Sequence, residues 1–524
     1  MNRYLPFLFL ALAVFAVYSN VYDNVIVFDD DLIIRLNEYI RSWNTFDKLF
    51  TASTTEGAHI AGGFYRPMQN LLYFFVYQFG GLDVFGYHLV NVALQAANAC
   101  LGYRLALRLG FDPRAALFAM LIWALHPIHT EAITYMSGTA DPLYVFFCLI
   151  GLNIVFPQAT MPRILWSLPF FMLALLSKET AAVYPALVCV TLYLASDERN
   201  KLKTYLKTWP LWLVGGIYMA WRVTDTHFDG PARYEFLFSM PEYGLLKMYA
   251  TNPELRIYTF LATLPSYAGL LLWPVGLHME RSFPVYPDMF YPIVVGGIVM
   301  LGAALFFIFR NRDARLRPLS WGLLWFGAAH APDTGLLVAS NSLFLEHWMY
   351  LPTLGLFLGI AEACHPFVQK LQKPALRYGA TGLAFIIVAA LSARTFDQNK
   401  NWRDQITFYN YIFSYGVVSP RAHNNLAIAY ANIGDYQKAI DEYRRAVQEG
   451  DTYAETHFNL ALSLLGMPDQ SQHVDEAIAE LERSLAMDPR FYRSYGALAQ
   501  IYAQKGNREK AEYYMQKARE SYTP

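Results

Sequence analysis

The sequence predicts an all-α chain in two parts, a polytopic membrane domain followed by a short α-solenoid. Three observations lead there. Hydrophobic residues make up 55% of the 524-residue chain and charged residues only 16%, with mean hydropathy +0.22; ordinary soluble domains carry about 25% charged residues. Apolar runs near the ~20 residues that a bilayer requires recur from Met1 to about Arg394. From Asn399 to Pro524 the chain turns polar, and a pattern returns there every ~34 residues. The domains are therefore placed at 1–398 and 399–524. With 41 Lys+Arg against 42 Asp+Glu the net charge is -1, which leaves no basic field to hold nucleic acid.

The first run, Tyr4 to about Ser19, follows Arg3 and lacks a small-residue cleavage site, so it predicts an uncleaved helix rather than a signal peptide. Basic clusters at Arg104, Arg108 and Arg114, at Arg199, Lys201, Lys203 and Lys207, at Arg310, Arg312, Arg315 and Arg317, and at Lys370, Lys373 and Arg377 mark the cytoplasmic side. Between them lie spans at roughly 4–20, 87–109, 114–128, 141–157, 163–177, 180–196, 208–224, 289–309, 317–332, 348–366 and 377–394, about eleven in all. A further crossing at 255–273 would put the next basic cluster on the wrong side, so that stretch is read as re-entrant or interfacial. An odd number of spans from a cytoplasmic N-terminus places the tail and the largest loops outside, in the periplasm if the membrane is a bacterial inner membrane. Cys100, Cys148, Cys189 and Cys364 all fall in or beside apolar runs, and no disulfide framework is implied.

The tail reads NNLAIAYANIGDYQKAIDEYRRAV around Asn425, FNLALSLLGMPDQSQHVDEAIAELERSLAMDP around Asn459 and GALAQIYAQKGNREKAEYYMQKA around Ala497. Small residues at helix crossings, Gly434 and Gly506 in the turns and Pro489 after a second helix match about three tetratricopeptide repeats. Residues 467–473 are an insertion, which predicts a longer turn in the second repeat. Such an array either caps the membrane part or holds a polypeptide on its concave face.

Ionisable residues beside membrane spans default to function. Asp29, Asp30 and Asp31 follow the first span; adjacent carboxylates at a membrane surface have raised pKa values and can accept a proton, and the plain alternative is a solvated loop or the N-cap of a helix over Leu32–Tyr39. His126, His129 and Glu131 end another span. Their side chains can ligate a divalent metal, but Pro127 interrupts the spacing, which favours hydrogen bonding among helix ends. Lys178-Glu179 and Glu346-His347 flank two more spans, and Arg66, Arg222 and Arg394 lie at the outer interface, where a guanidinium suits a lipid-linked phosphate or simply anchors the helix. No G-x-x-x-x-G-K-[ST] run is present, so ATP hydrolysis is not expected.

Taken in order, VFDDDLIIRLN (27–37), YRPMQNLLYFF (65–75), GGLDVFGYHLVNVALQAAN (80–98), HPIHTEAITYMSGTADPL (126–143), SKETA (177–181), EHWMYLPTLGLFLG (346–359) and RTFDQNKNWRDQITFY (394–409) give nearly the whole chain a resemblance to the transmembrane and tetratricopeptide-repeat O-mannosyltransferases, within the GT-C superfamily. The resemblance implies a GT-C-type membrane domain and an inverting transfer of one sugar from a polyprenyl phosphate to an acceptor hydroxyl. It makes Asp29 the general base and has Asp30 orient the acceptor or Asp29, whereas Asp31 departs from the family pattern. Phosphate contacts fall to Arg66, Lys178 and Arg394 by charge and placement, and organisation of the sugar and phosphate pocket to His126, His129 and Glu131. His347 stands where the family has an arginine. The implied acceptor is a Ser or Thr of an exported protein, which the repeats can hold. No cofactor is required beyond an optional divalent metal, and the small number of repeats suits a bacterial relative. The competing expectations are a membrane scaffold with a partner-binding tail, and a glycosyltransferase acting on a lipid or polysaccharide.

Overall fold

The computed structural model describes residues 4–60, 62–195, 201–224, 244–311, 313–337, 342–450 and 453–521; Arg199 and Arg312 of the basic clusters lie outside them. Among the described residues the secondary structure is entirely helical. Contacts divide the chain into two compact units, Met1–Arg403 and Asp404–Pro524.

The first unit is a bundle whose helices start where the sequence supplies the chemistry. Pro67, Pro113, Pro253, Pro292 and Pro374 open helices, their missing N–H being one that a first turn cannot use. Asp83 caps the helix Val84–Arg108 by accepting from Phe85 N, and Asp112 caps Pro113–Ala124 by accepting from Arg114 N and Ala115 N. The core is aromatic: Trp123, Trp321, Trp325 and Tyr350 are fully buried. The helices Arg317–His330 and Tyr350–Gln369 touch through glycine, and a Cβ on Gly359 would lie 2.5 Å from Pro318 O. Between apolar surfaces, such small residues permit close backbone approach.

Polar side chains tie the helix Val84–Arg108 to its neighbours. Asn91 donates to Ile133 O and Tyr135 O, Gln95 to Ala124 O at 2.9 Å, and Asn98 to Pro142 O at 2.8 Å and to the Tyr350 hydroxyl at 3.1 Å. The Tyr350 hydroxyl in turn donates to Gln95 Oε1.

Among the described residues, five helical stretches can cross a membrane by length and apolarity, Met136–Val155, Pro253–Leu272, Pro292–Arg310, Glu346–Gln369 and Pro374–Trp402, or six if the bent pair Pro113–Ala124 and Pro127–Ile133 is one span. The count of eleven is not reached on those criteria. Leu5–Val17, Met161–Leu175 and Glu179–Ala195 are apolar but short, and Val84–Arg108 has 25 residues but carries the polar groups just named.

Pro253–Leu272, read from sequence as re-entrant or interfacial, is a continuous helix of crossing length. It packs along Pro292–Arg310, with Leu261 against Val294 and the backbone at Gly297, and its polar bonds reach further segments. Near its start Arg256 bonds Gly335 O and Leu336 O; near its end Tyr267 bonds Leu345 O, and Leu271 O meets His126 Nε2.

The second unit pairs Pro420–Asn432 with Tyr436–Gln448, Ala454–Gly466 with Gln470–Met487, and Tyr492–Gln504 with Arg508–Ser521, after a leading helix Gln405–Phe413. Gly434 (φ 81°) and Gly506 (φ 75°) sit in the turns, in the left-handed region that glycine enters without cost. The predicted long turn in the second repeat is corrected: residues 467–469 turn the chain as compactly as 433–435 do, and the insertion lengthens Gln470–Met487 to 18 residues against 13 in Tyr436–Gln448. Extra residues in a continuous helix satisfy their own backbone groups, which a longer loop would not.

Candidate functional site

Polar groups collect at the end of the bundle where helix Val84–Arg108 begins, around the short stretch Met136–Asp141. Loop one reaches it through a sharp turn: Phe28 adopts φ 55°, an uncommon conformation for a non-glycine residue, and its ring packs edge-on against Tyr135 at 6.4 Å. The three acidic residues that follow behave differently. Asp29 is half-buried, and its backbone N–H donates to the Tyr135 hydroxyl at 3.1 Å. Asp30 is fully buried, with Oδ1 accepting from Ser137 N at 2.7 Å and Ser137 Oγ at 2.6 Å and Oδ2 from Val27 N at 3.1 Å. Asp31 pairs with Arg35 at 2.7 Å in the turn Asp31–Arg35. A π-helical turn and a short 3-10 turn, Glu38–Ile40, thus replace the regular helix expected over 32–39, and Asp30 clamps loop one to Ser137 instead of capping a helix. Burial pushes the Asp30 carboxyl up to about 7; the bonds from Ser137 and Val27 oppose the rise, and the nearby Asp29 charge adds to it.

One helical turn beyond Ser137, Asp141 Oδ1 accepts from Lys178 Nζ at 2.7 Å, and both side chains are buried. The next residue, Glu179, meets Arg66 more loosely, at 3.3 and 3.5 Å, while the Arg66 guanidinium covers the Phe64 ring at 4.5 Å. Arg222 closes the same side by donating to Gly63 O.

A second group comes from the other half of the chain. Glu131 Oε2 accepts from Glu346 N and His347 N, and its Oε1 meets His347 Nδ1 at 2.7 Å. Glu346 Oε1 accepts from His278 N at 2.8 Å and Arg281 Nη2 at 3.0 Å. Asp333, half-buried, makes no hydrogen bond or ion pair among the described residues, yet lies within the fields of Lys178, Asp141, His347 and Glu179. Burial raises its carboxyl to about 7; Lys178 and His347 pull down, Asp141 and Glu179 push up.

The predicted residues are therefore not one cluster. Asp29, Asp30, Arg66, Lys178 and Glu179 are linked through Met136–Asp141, and Glu131, Glu346 and His347 form a neighbouring set. His126 faces Leu271 O and its own turn, and His129 packs against Trp123 and Tyr350, with Nε2 at 3.5 Å from Thr353 Oγ1. His126, His129 and Glu131 thus point to separate partners, and among the described residues no three metal-ligating side chains converge. Arg394 donates to Pro274 O and pairs with Asp397. Sequence reasoning passed over Asp141 and Asp333; the signal for each was a lone acid beside an apolar run, in TADPL and HAPDT.

Tetratricopeptide repeat family models match residues 420–452 and 469–523. The chain is similar to protein O-mannosyl-transferase TMTC3 of Mus musculus, 24% identical over 83% of this chain and 50% of that protein. It is likewise similar to Tmtc3 of Drosophila melanogaster, 23% identical over 87% of this chain and 56% of that protein. Similarity to tmtc2 of Xenopus laevis is higher, 35%, over 26% of this chain and 16% of that protein. The chain spans about half the length of the first two relatives. Along most of its length the chain is thus similar to protein O-mannosyl-transferases of the TMTC type, and its tail carries tetratricopeptide repeats.

Proposed function

We propose that this chain is a membrane glycosyltransferase that moves a sugar from a polyprenyl-phosphate donor to a Ser or Thr hydroxyl of an exported protein, with inversion at the anomeric carbon. The observation that carries this reading is the stretch Met136–Asp141, which holds loop one through Ser137–Asp30 and the cationic side through Asp141–Lys178, one helical turn apart. Asp29 takes the acceptor proton as the oxygen attacks; the phosphate leaves with the bonding pair and needs positive charge more than an acid. Asp30, whose carboxylate oxygens are already engaged, positions Asp29. Of the cations, Arg66 is the better phosphate ligand, because its contacts to Glu179 are long and Lys178 is tightly held by Asp141. Arg394 and Arg222 serve the donor's lipid side, and Glu131 with His347 shapes the sugar pocket.

The topology that fits has about eleven crossings, a cytoplasmic N-terminus, and loop one and the repeats outside. In it Pro253–Leu272 is re-entrant or interfacial, and its bonds to Gly335 O and Leu345 O tie it to residues beside Asp333 and Glu346. The repeats hold an extended acceptor segment.

The test is transfer of labelled sugar from membranes to endogenous protein by the native chain and by Asp29→Asn at matched expression. Label that depends on Asp29 supports the assignment. Equal labelling removes Asp29 as the base, and absence of labelled protein with label in lipid or polysaccharide favours those acceptors.

A further inference from the structure

At the opposite end of the bundle a cavity of about 360 Å³ opens between the helices Val84–Arg108, Ala140–Val155 and Met161–Leu175. Its lining is Leu101, Arg104, Arg108, Ile150, Ile154 and Arg163, with Asn153 at its back and Trp166 exposed at the rim. Arg104 lies 13 residues beyond Asn91 on one helix, about 20 Å from the candidate catalytic end at ~1.5 Å per residue. From these residues we infer that the cavity binds the phosphate of an anionic membrane lipid, with the lipid's acyl chain against Leu101, Ile150 and Ile154.

Three guanidinium groups border this cavity and no carboxylate does. Arg108 is turned inward, donating to Asn153 O and to Phe156 O at 2.8 Å, and the charges of Arg104 and Arg163 both bear on it. Arg104 and Arg163 make no hydrogen bond or ion pair among the described residues, and Arg163 Nη1 is buried without an acceptor. Asn153 Oδ1 is likewise buried and unbonded. A snorkelling arginine keeps its head in water; in Arg163, one guanidinium nitrogen, Nη1, is withdrawn from it. Like charges brought together beside an apolar wall are costly unless an anion neutralises them, and a phosphodiester offers acceptor oxygens to the guanidinium forks and a hydrocarbon tail to the wall. Free phosphate shares the first property and lacks the second, which is why the assignment is to a lipid.

The test uses the full chain in a neutral detergent, melted with phosphatidylglycerol, with phosphatidylcholine, or with inorganic phosphate. Phosphatidylglycerol is expected to raise the Tm of the native chain by several degrees, and phosphatidylcholine is not. The double variant R104Q/R163Q is expected to lose that rise while keeping the native Tm in phosphatidylcholine. If the double variant melts lower there, R104Q alone, at an exposed side chain, replaces it and is expected to lose part of the rise. K370Q/K373Q, in a different basic cluster, is expected to keep it. The proposal is overturned if both lipids act alike, if the arginine variants retain the full rise, if K370Q/K373Q loses it, or if inorganic phosphate alone reproduces it.

Discussion

Lys178 Nζ and Asp141 Oδ1 lie 2.7 Å apart with both side chains over nine-tenths buried, joining the turn before one helix to the first turn of another. Removing one partner leaves the other charge buried and uncompensated, at a cost of about 3–5 kcal/mol. Lys178→Met and Asp141→Asn should each lower the Tm of the full chain markedly, and the double variant should recover much of the loss. Thermal melts in detergent decide it; additive losses would show that the pair is not coupled.

Asp30 should make stability depend on pH. Its carboxyl is raised to about 7 in the folded chain, whereas an unfolded aspartate titrates near ~3.9. Between those values the folded state holds a proton that the unfolded state releases, so stability falls as pH rises from about 4 to 7. Asp30→Asn should flatten that slope and lower stability at acid pH, because an amide nitrogen would face Val27 N. A slope unchanged by the substitution would place Asp30 outside the titration.

Asp333→Asn separates a structural role from a functional one. This carboxyl has no hydrogen-bonding partner among the described residues and is also raised to about 7, so neutralising it should raise the Tm at and above neutral pH. If Asp333 faces the substrate pocket, the same variant should lose sugar transfer roughly tenfold or more, the scale of one positioned charged group. Measuring both on one preparation distinguishes the cases: a higher Tm with full transfer assigns the residue no part in the reaction.

In the repeat unit, His457 Nδ1 meets Glu480 Oε2 at 2.6 Å, and the preceding repeat places His423 against Glu442 in the same way. Arg483 and Arg445 add to the same carboxylates. Hydrogen bonds to charged groups contribute about 1.5–3 kcal/mol. Glu480→Ala should destabilise the repeat unit by about that amount, and Glu480→Gln by much less, as read by hydrogen exchange over Ala454–Met487. Equal losses would mean that side-chain volume matters there more than the bond.

What the sequence made legible was local or periodic. The repeats were readable because Asn425 and Asn459 recur in register with glycine at the turns, and the polar ends of the apolar runs did mark the residues that gather at one end of the bundle. Pairings were not readable, since Glu131 and His347 are 216 residues apart and nothing local ties them. Loop one misled because Asp30 resembles an N-cap in sequence, while its acceptors are spent on a serine 107 residues away. Hydropathy alone passes over a long helix whose polar groups are bonded inside the bundle, as in Val84–Arg108. It also gave Pro253–Leu272 no distinctive mark, because a stretch of that apolarity suits a re-entrant, an interfacial or a crossing helix alike.

The bonds of Gln95 and Asn98 carry a consequence for biogenesis. Their shared partner, the Tyr350 hydroxyl, lies more than 250 residues downstream of either, and at ~5–20 residues per second of synthesis it emerges some 12–50 seconds later. During that interval Gln95 and Asn98 can donate only to the nearer Ala124 O and Pro142 O, and Gln95 Oε1 stays unanswered where a bilayer interior penalises it. The polar pairing of that helix is therefore completed late, when the helix beginning at Tyr350 arrives. A nascent chain stopped before residue 350 should leave Val84–Arg108 accessible to insertase crosslinking, whereas one continued past residue 370 should release it.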